Sequence, residues 1–142
     1  MKKTAVSIIL IVIAVLAGAY FLQSDTGVSK SGIWENAIYT ENTQLGNGEK
    51  LVSVEVKAEN ESVIFKIYTD KLTVGDALKE HNLIDGEEGP YGLYVKIVNG
   101  IRADYEEDKS YWSFYKNGEP MQTGVDGAEF TNGERFELVY TK

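Results

Sequence analysis

Tyr111–Tyr140 reads YWSFYKNGEPMQTGVDGAEFTNGERFELVY, and this stretch decides the fold class. It opens on an aromatic run, Tyr111-Trp112-Ser113-Phe114-Tyr115, of the kind that favours a pleated, half-buried strand. Asn117-Gly118 follows, a pair that tolerates the positive φ of a tight turn. A Gly124-Val125-Asp126 step and a second turn at Asn132-Gly133 lead into a closing strand, Phe136-Glu137-Leu138-Val139-Tyr140. Side chains alternate across a strand, so Tyr111, Ser113 and Tyr115 share one face and Trp112 and Phe114 the other. The less polar pair, Trp112 and Phe114, is expected in the core. Tyr111, Tyr115 and the Asn117-Gly118 tip are then left on the ligand face.

Upstream, the pattern keeps a period of two. Leu51–Val56 places Val52, Val54 and Val56 on one face and Ser53 and Glu55 on the other, which predicts a half-buried strand. Glu59–Ser62 is a turn, and Val63–Thr69 (VIFKIYT) its hairpin partner. The period then changes. Thr73 can cap a helix whose third following residue is Asp76, and Val74, Ala77, Leu78 and His81 share a helical face. Asn82 ends it. Asp85–Pro90 reads as a loop, and Tyr91–Val98 as a third strand closing on Asn99-Gly100. With the aromatic strand, a short strand near Met121 and the last strand, the order is β-β-α-β-β-β. That is an α+β fold with the element order of a β-grasp. Asn-Gly occurs at Asn47, Asn99, Asn117 and Asn132, and each pair suits a positive-φ turn.

The chain has 142 residues, room for one domain. Lys2 and Lys3 precede Ala5–Leu22, 18 residues without a charge. Such a segment is a signal peptide or a membrane anchor, and the positive charge before it directs the remainder out of the cell. Ala17 and Ala19 fit a small-x-small cleavage site, while Tyr20-Phe21-Leu22 lengthens the membrane option. Residues 1–22 are therefore read as signal or anchor, 23–48 as linker and lead-in, and 49–142 as the domain. The expected location is the outer face of a bacterial membrane, or secreted.

From residue 20 onward there are 12 Lys+Arg against 22 Asp+Glu, a net of −10. That excludes a nucleic-acid partner, whose phosphates demand a basic face, and leaves the N-terminal segment as the only membrane contact. With no cysteine and a single histidine, neither disulfides nor the usual zinc sites are available.

Four pieces in order make a resemblance: Leu51–Val56, the Thr73-Val74-x-Asp76-Ala77-Leu78 helix start, Val98-Asn99-Gly100, and Tyr111-Trp112-x-Phe114-Tyr115-x-Asn117-Gly118 with Gly124-Val125 and Asn132-Gly133-Glu134. Over about 90 residues the chain resembles the transcobalamin-like C-terminal domain family. The resemblance implies a small β-grasp-like module that, in cobalamin carriers, closes over a cobalamin held mainly by a separate helical domain. No stretch of this chain fits that helical domain. Elsewhere the family implies a module on bacterial surface proteins.

Two sites follow as expectations. Tyr111 and Tyr115, with Asn117 and Gly118, offer rings that stack on a corrin, a sugar or another flat molecule, although cross-strand pairing alone also explains such tyrosines. Asp104, Glu106, Glu107 and Asp108 pack carboxylates into one segment, and clustered loop oxygens suit a divalent cation of the calcium type. An EF-hand spacing is absent. His81 reads as complementing the helix dipole. Neither G-x-S-x-G nor a phosphate-binding G-x-x-x-x-G-K-[ST] is present, so no catalysis is expected. The function expected is a binding module for a small ligand, possible cofactors being cobalamin or a divalent cation. A surface-protein partner is the third reading.

Overall fold

A computed structural model describes residues 27–142. The expectation of a signal or anchor over residues 1–22 lies outside the described residues. Among those described, no helix is long and apolar enough to cross a membrane.

The fold is mixed α+β, mostly sheet. Strands β1 (Thr43–Gly46), β2 (Lys50–Ala58), β3 (Glu61–Thr69), β7 (Tyr111–Lys116), β8 (Glu119–Pro120) and β9 (Glu134–Thr141) form one six-stranded sheet in the order β1-β3-β2-β9-β7-β8. The first long strand and the last therefore lie side by side at its centre, in parallel, with Val54 opposite Phe136 and Val56 opposite Leu138. Strands β4 (Ile84–Gly89), β5 (Gly92–Val98) and β6 (Ile101–Arg102) make a smaller antiparallel sheet. Helix α1 (Val74–Glu80) sits between β3 and β4, and a single turn, α2 (Tyr105–Asp108), precedes β7.

The alternation in β2 and β3 does what the period predicts. Val52, Val54, Val56, Val63, Phe65 and Ile67 are all buried, on one side of the large sheet. Phe136, Leu138 and Trp112 extend that apolar surface across β9 and β7. Helix α1 starts where expected: the Thr73 hydroxyl accepts from Asp76 N–H at 3.1 Å, and Val74 N–H reaches Ala128 C=O at 2.8 Å. It ends at Asn82, which takes φ +57° and lets Leu83 N–H return to Leu78 C=O.

Three details differ from the sequence reading. Asp85–Pro90 is not a loop: most of it is β4, paired to β5 with a bulge between Asp85 and Gly86. Its acids and glycines hide the strand because β4 is largely exposed and is held by backbone hydrogen bonds. Gly86 is required there, since a Cβ would lie 1.9 Å from the Tyr94 carbonyl oxygen. Gly86→Ala is expected to cost about 1–3 kcal/mol, with hydrogen-exchange protection lost over residues 84–98 while β2 and β9 keep theirs.

The stretch expected as linker and lead-in, residues 23–48, is also packed on the domain from Val28 onward. Val28, Trp34 and Ala37 are part of the core, and β1 pairs in parallel with β3. Finally, only two Asn-Gly pairs adopt the double positive φ: Asn99-Gly100 (+51°, +81°) and Asn117-Gly118 (+51°, +83°). At Asn47-Gly48 the glycine serves close approach instead, a Cβ there meeting the Thr69 carbonyl carbon at 2.2 Å.

Candidate functional site

Strand β7 presents its faces as the alternation predicts. Trp112 is buried, its indole N–H donating to Ile101 C=O at 3.2 Å. Phe114 is half-buried and stacks on Phe136 with centroids 5.6 Å apart. Tyr115 faces the other way, paired with Glu137 of β9. That face continues across β2 as Ser53, Glu55 and Lys57, opposite Arg135, Glu137 and Val139. It is polar and charged, with the Lys57 ammonium 2.6 Å from Glu137 and Arg135 3.9 Å from Glu55. The hydrogen bond to Glu137 raises the Lys57 pKa above its ordinary value.

The Asn117-Gly118 turn closes the β7–β8 hairpin. Asn117, Gly118, Arg135 and Glu137 line an open pocket of about 350 Å³. The structure thus brings Tyr115, Asn117 and Gly118 to one end of the sheet face, beside a guanidinium and a carboxylate. Arg135 and Glu137 were missed in the sequence reading. The signal for them was the closing strand itself, whose alternate residues must face those of β7. Tyr111 stands apart, four residues back along β7, roughly 13 Å at strand rise. It pairs with Thr141 and packs its ring edge against Tyr105 at 6.2 Å.

Three of the four carboxylates of the acidic segment are used locally. Asp104 caps α2, accepting from Glu106 N–H at 3.1 Å, and pairs with Arg102 at 2.6 Å. Asp108 accepts from both the N–H and the hydroxyl of Ser110, and the hydroxyl bond foremost lowers its pKa. Lys109 follows at φ +68°, ending the turn. Glu106 and Glu107 project from the same turn, with Glu107 3.8 Å from Arg102. Among the described residues, no group of three or more His, Asp or Glu is arranged to hold a metal ion.

His81 stands at the C-terminal end of α1, as its C-cap. Its Nε2 lies 3.8 Å from Glu80 Oε1, and that oxygen accepts from the Thr69 hydroxyl at 2.9 Å.

Comparison with known proteins bears on this geometry. The family described as a domain of unknown function, DUF4430, matches residues 72–142, half of the chain. The chain belongs to the DUF4430 family. Those residues run from the cap of α1 through the Asn117-Gly118 turn to the end of β9. A solved structure of a candidate metal binding protein from Ruminococcus gnavus is similar to this DUF4430 chain at 33% identity and a TM-score of 0.63, covering 66% of this chain and 98% of that one. Human transcobalamin-1 is 26% identical over 107 residues, 75% of this chain. The DUF4430 domain here is thus transcobalamin-like. The chain spans about a fifth of that relative's length, 21%. A structure of haptocorrin in complex with Cbi aligns at 24% identity and a TM-score of 0.49, over 68% of this chain and 26% of that one.

Proposed function

We propose that this chain is an exported, membrane-tethered, non-catalytic binding module with a β-grasp-like domain, and that its ligand is a flat, polar molecule of the corrinoid type. The observation that carries the reading is the pocket of about 350 Å³ where the Asn117-Gly118 turn meets Arg135 and Glu137. It lies on the polar sheet face beside Tyr115, which offers a ring for stacking. A guanidinium and a carboxylate flank it and can meet the amide groups of a corrinoid's periphery as donor and acceptor. Similarity to transcobalamin-1 supports the ligand class. The uncharged run Ala5–Leu22 behind Lys2 and Lys3 supports export and tethering.

Cobalamin titrated into the full chain in lipid nanodiscs should give saturable chemical-shift changes at Asn117, Gly118 and Arg135. Tyr115→Ala should weaken binding by up to about tenfold, the range of one lost stacking contact. No change up to about 500 µM cobalamin, a concentration that detects even weak complexes, would overturn the corrinoid reading.

A second reading has one observation in its favour, the similarity to the candidate metal binding protein of Ruminococcus gnavus. In it, Asp104, Glu106, Glu107 and Asp108 take a calcium-type ion. Any ligand that binds only the folded state raises the unfolding midpoint. The corrinoid reading expects the same midpoint in millimolar calcium and in chelator. A midpoint raised by calcium, and lowered again in Glu106→Gln, would favour the second.

A further inference from the structure

A second pocket, of about 260 Å³, lies between β4–β5 and α2, lined by Glu87, Tyr94, Lys96, Asp104, Tyr105 and Glu106. Its aromatic walls are unusual for this molecule. Tyr94 and Tyr105 are each 49% exposed, and Tyr111, which braces Tyr105, is 40% exposed. With Tyr91 at the β4–β5 tip, these are the exposed aromatic side chains among the described residues. Clustered exposed aromatics mark a contact surface, whereas scattered ones do not.

The rings are held in place before any ligand arrives. The Tyr111 edge packs on Tyr105 at 6.2 Å, and the Lys109 ammonium stands 4.9 Å from the Tyr105 centroid. Lys96 is 6.0 Å from the Tyr94 centroid and 3.3 Å from Glu87. Asp104 is committed to its cap and to Arg102. The polar lining is thus of both signs, with Glu87, Lys96 and Asp104 already paired and the Glu106 carboxylate open to a ligand. An anion would meet Glu87, Asp104 and Glu106, and a cation would have to compete with Lys96 for Glu87 and with Arg102 for Asp104. A neutral, polyhydroxylated ring meets neither penalty. Its hydroxyls can donate to the carboxylates and accept from the ammonium, while its C–H face lies on a tyrosine. The volume is just below that of drug-sized ligand sites, which suits a single ring.

We propose that the Tyr94–Tyr105 pocket is a carbohydrate site that takes one neutral pyranose unit. It is separate from the Tyr115 pocket and does not depend on the corrinoid reading. The test is carried out on the full chain in phosphatidylcholine nanodiscs, with the tyrosine rings isotopically labelled. Methyl glycosides of glucose, galactose and N-acetylglucosamine are titrated one at a time, with tetramethylammonium and inorganic phosphate as charged comparators. At least one glycoside should give saturable shifts at the Tyr94 and Tyr105 rings. Tyr94→Ala and Tyr105→Ala should each weaken binding about three- to tenfold, as expected for one lost stacking contact. Tyr94→Phe and Tyr105→Phe, which keep the ring and the fold, should retain most of the affinity. Glu106→Gln should weaken it, and Tyr115→Ala should leave it unchanged. The proposal is overturned if no glycoside gives a saturable shift up to about 50 mM, a limit that still detects millimolar affinity. Shifts that survive both alanine variants, or a response to the charged comparators alone, overturn it as well.

Discussion

Trp34→Ala is expected to cost about 3–5 kcal/mol, the range for truncating a large buried aromatic. Trp34 is 2% exposed, and its indole N–H donates to Ala58 C=O at 3.1 Å. Truncation therefore opens a cavity against the end of β2 and leaves a buried carbonyl without its donor. The damage should spread, because Trp34 anchors a lead-in that is stitched down further along. Ile38 N–H reaches Asn99 C=O at 2.9 Å. The Asn99 side chain, fully buried, accepts from Tyr39 N–H and donates to Tyr39 C=O, both at 2.8 Å. The Tyr39 ring in turn meets Phe65 edge-on at 5.5 Å. In thermal unfolding the midpoint should fall by about 10–20 °C, given several degrees per kcal/mol for a domain of this size. Trp34→Phe, which keeps most of the apolar area and loses the N–H bond, should cost about 1–2 kcal/mol. A midpoint within a degree or two of the parent for Trp34→Ala would mean that the lead-in can peel away without harm to the sheet.

What the sequence shows of this fold depends on the range of the interactions that build each part. Val52, Val54 and Val56 announce β2 through neighbours two residues apart, and Thr73 with Asp76 announces α1 within one turn. The aromatic run at Tyr111–Tyr115 and the positive-φ pair at Asn117-Gly118 are equally local. Strand β4 is not legible, because past Ile84 most of its residues are exposed and the strand is held chiefly by backbone pairing. Nor is the packing of the lead-in, since Trp34 finds its acceptor 24 residues away and Tyr39 its partner 60 away. The candidate site divides in the same manner. Tyr115 and the turn were readable, whereas Arg135 and Glu137 join them through the register of β9 on β7. At Asp104–Asp108 the composition is plain, but the use of its carboxylates as caps depends on Arg102 and Ser110 in three dimensions.

Asp126 is where this long-range wiring is most concentrated, and Asp126→Ala is expected to cost about 2–4 kcal/mol. Its Oδ2 accepts from Leu93 N–H at 2.9 Å and from Lys79 Nζ at 3.0 Å, while Oδ1 lies 2.8 Å from the same ammonium. One carboxylate therefore ties α1 to β5 from the 3-10 turn Val125–Gly127. Two glycines make room for it: a Cβ on Gly75 would lie 2.3 Å from Oδ1, and one on Gly92, at φ +100°, 2.9 Å from its Cβ. The magnitude lies between an exposed ion pair, about 0–1 kcal/mol, and a buried one broken on one side, about 3–5 kcal/mol. Asp126→Asn keeps an oxygen for Leu93 N–H and loses only the ion pair, so about 1–2 kcal/mol is expected. The pH dependence separates the two contributions. Burial pushes the Asp126 pKa up, but the Lys79 bond and the Leu93 N–H outweigh it, and the carboxyl ends below its ordinary 3.8. Stability from this group is therefore complete above 3.8 and is lost as pH falls through the lower folded value. Lys79 is held above 10.5, foremost by its bond to Asp126, so its share is complete below 10.5 and is lost as pH rises through that raised value. Denaturant unfolding across these two limbs should show that Asp126→Asn flattens both while leaving a residual advantage over Asp126→Ala at neutral pH. Equal losses for the two variants at pH 7 would show that the bond to Leu93 contributes nothing and that the stabilisation comes from the ion pair between α1 and the 3-10 turn alone.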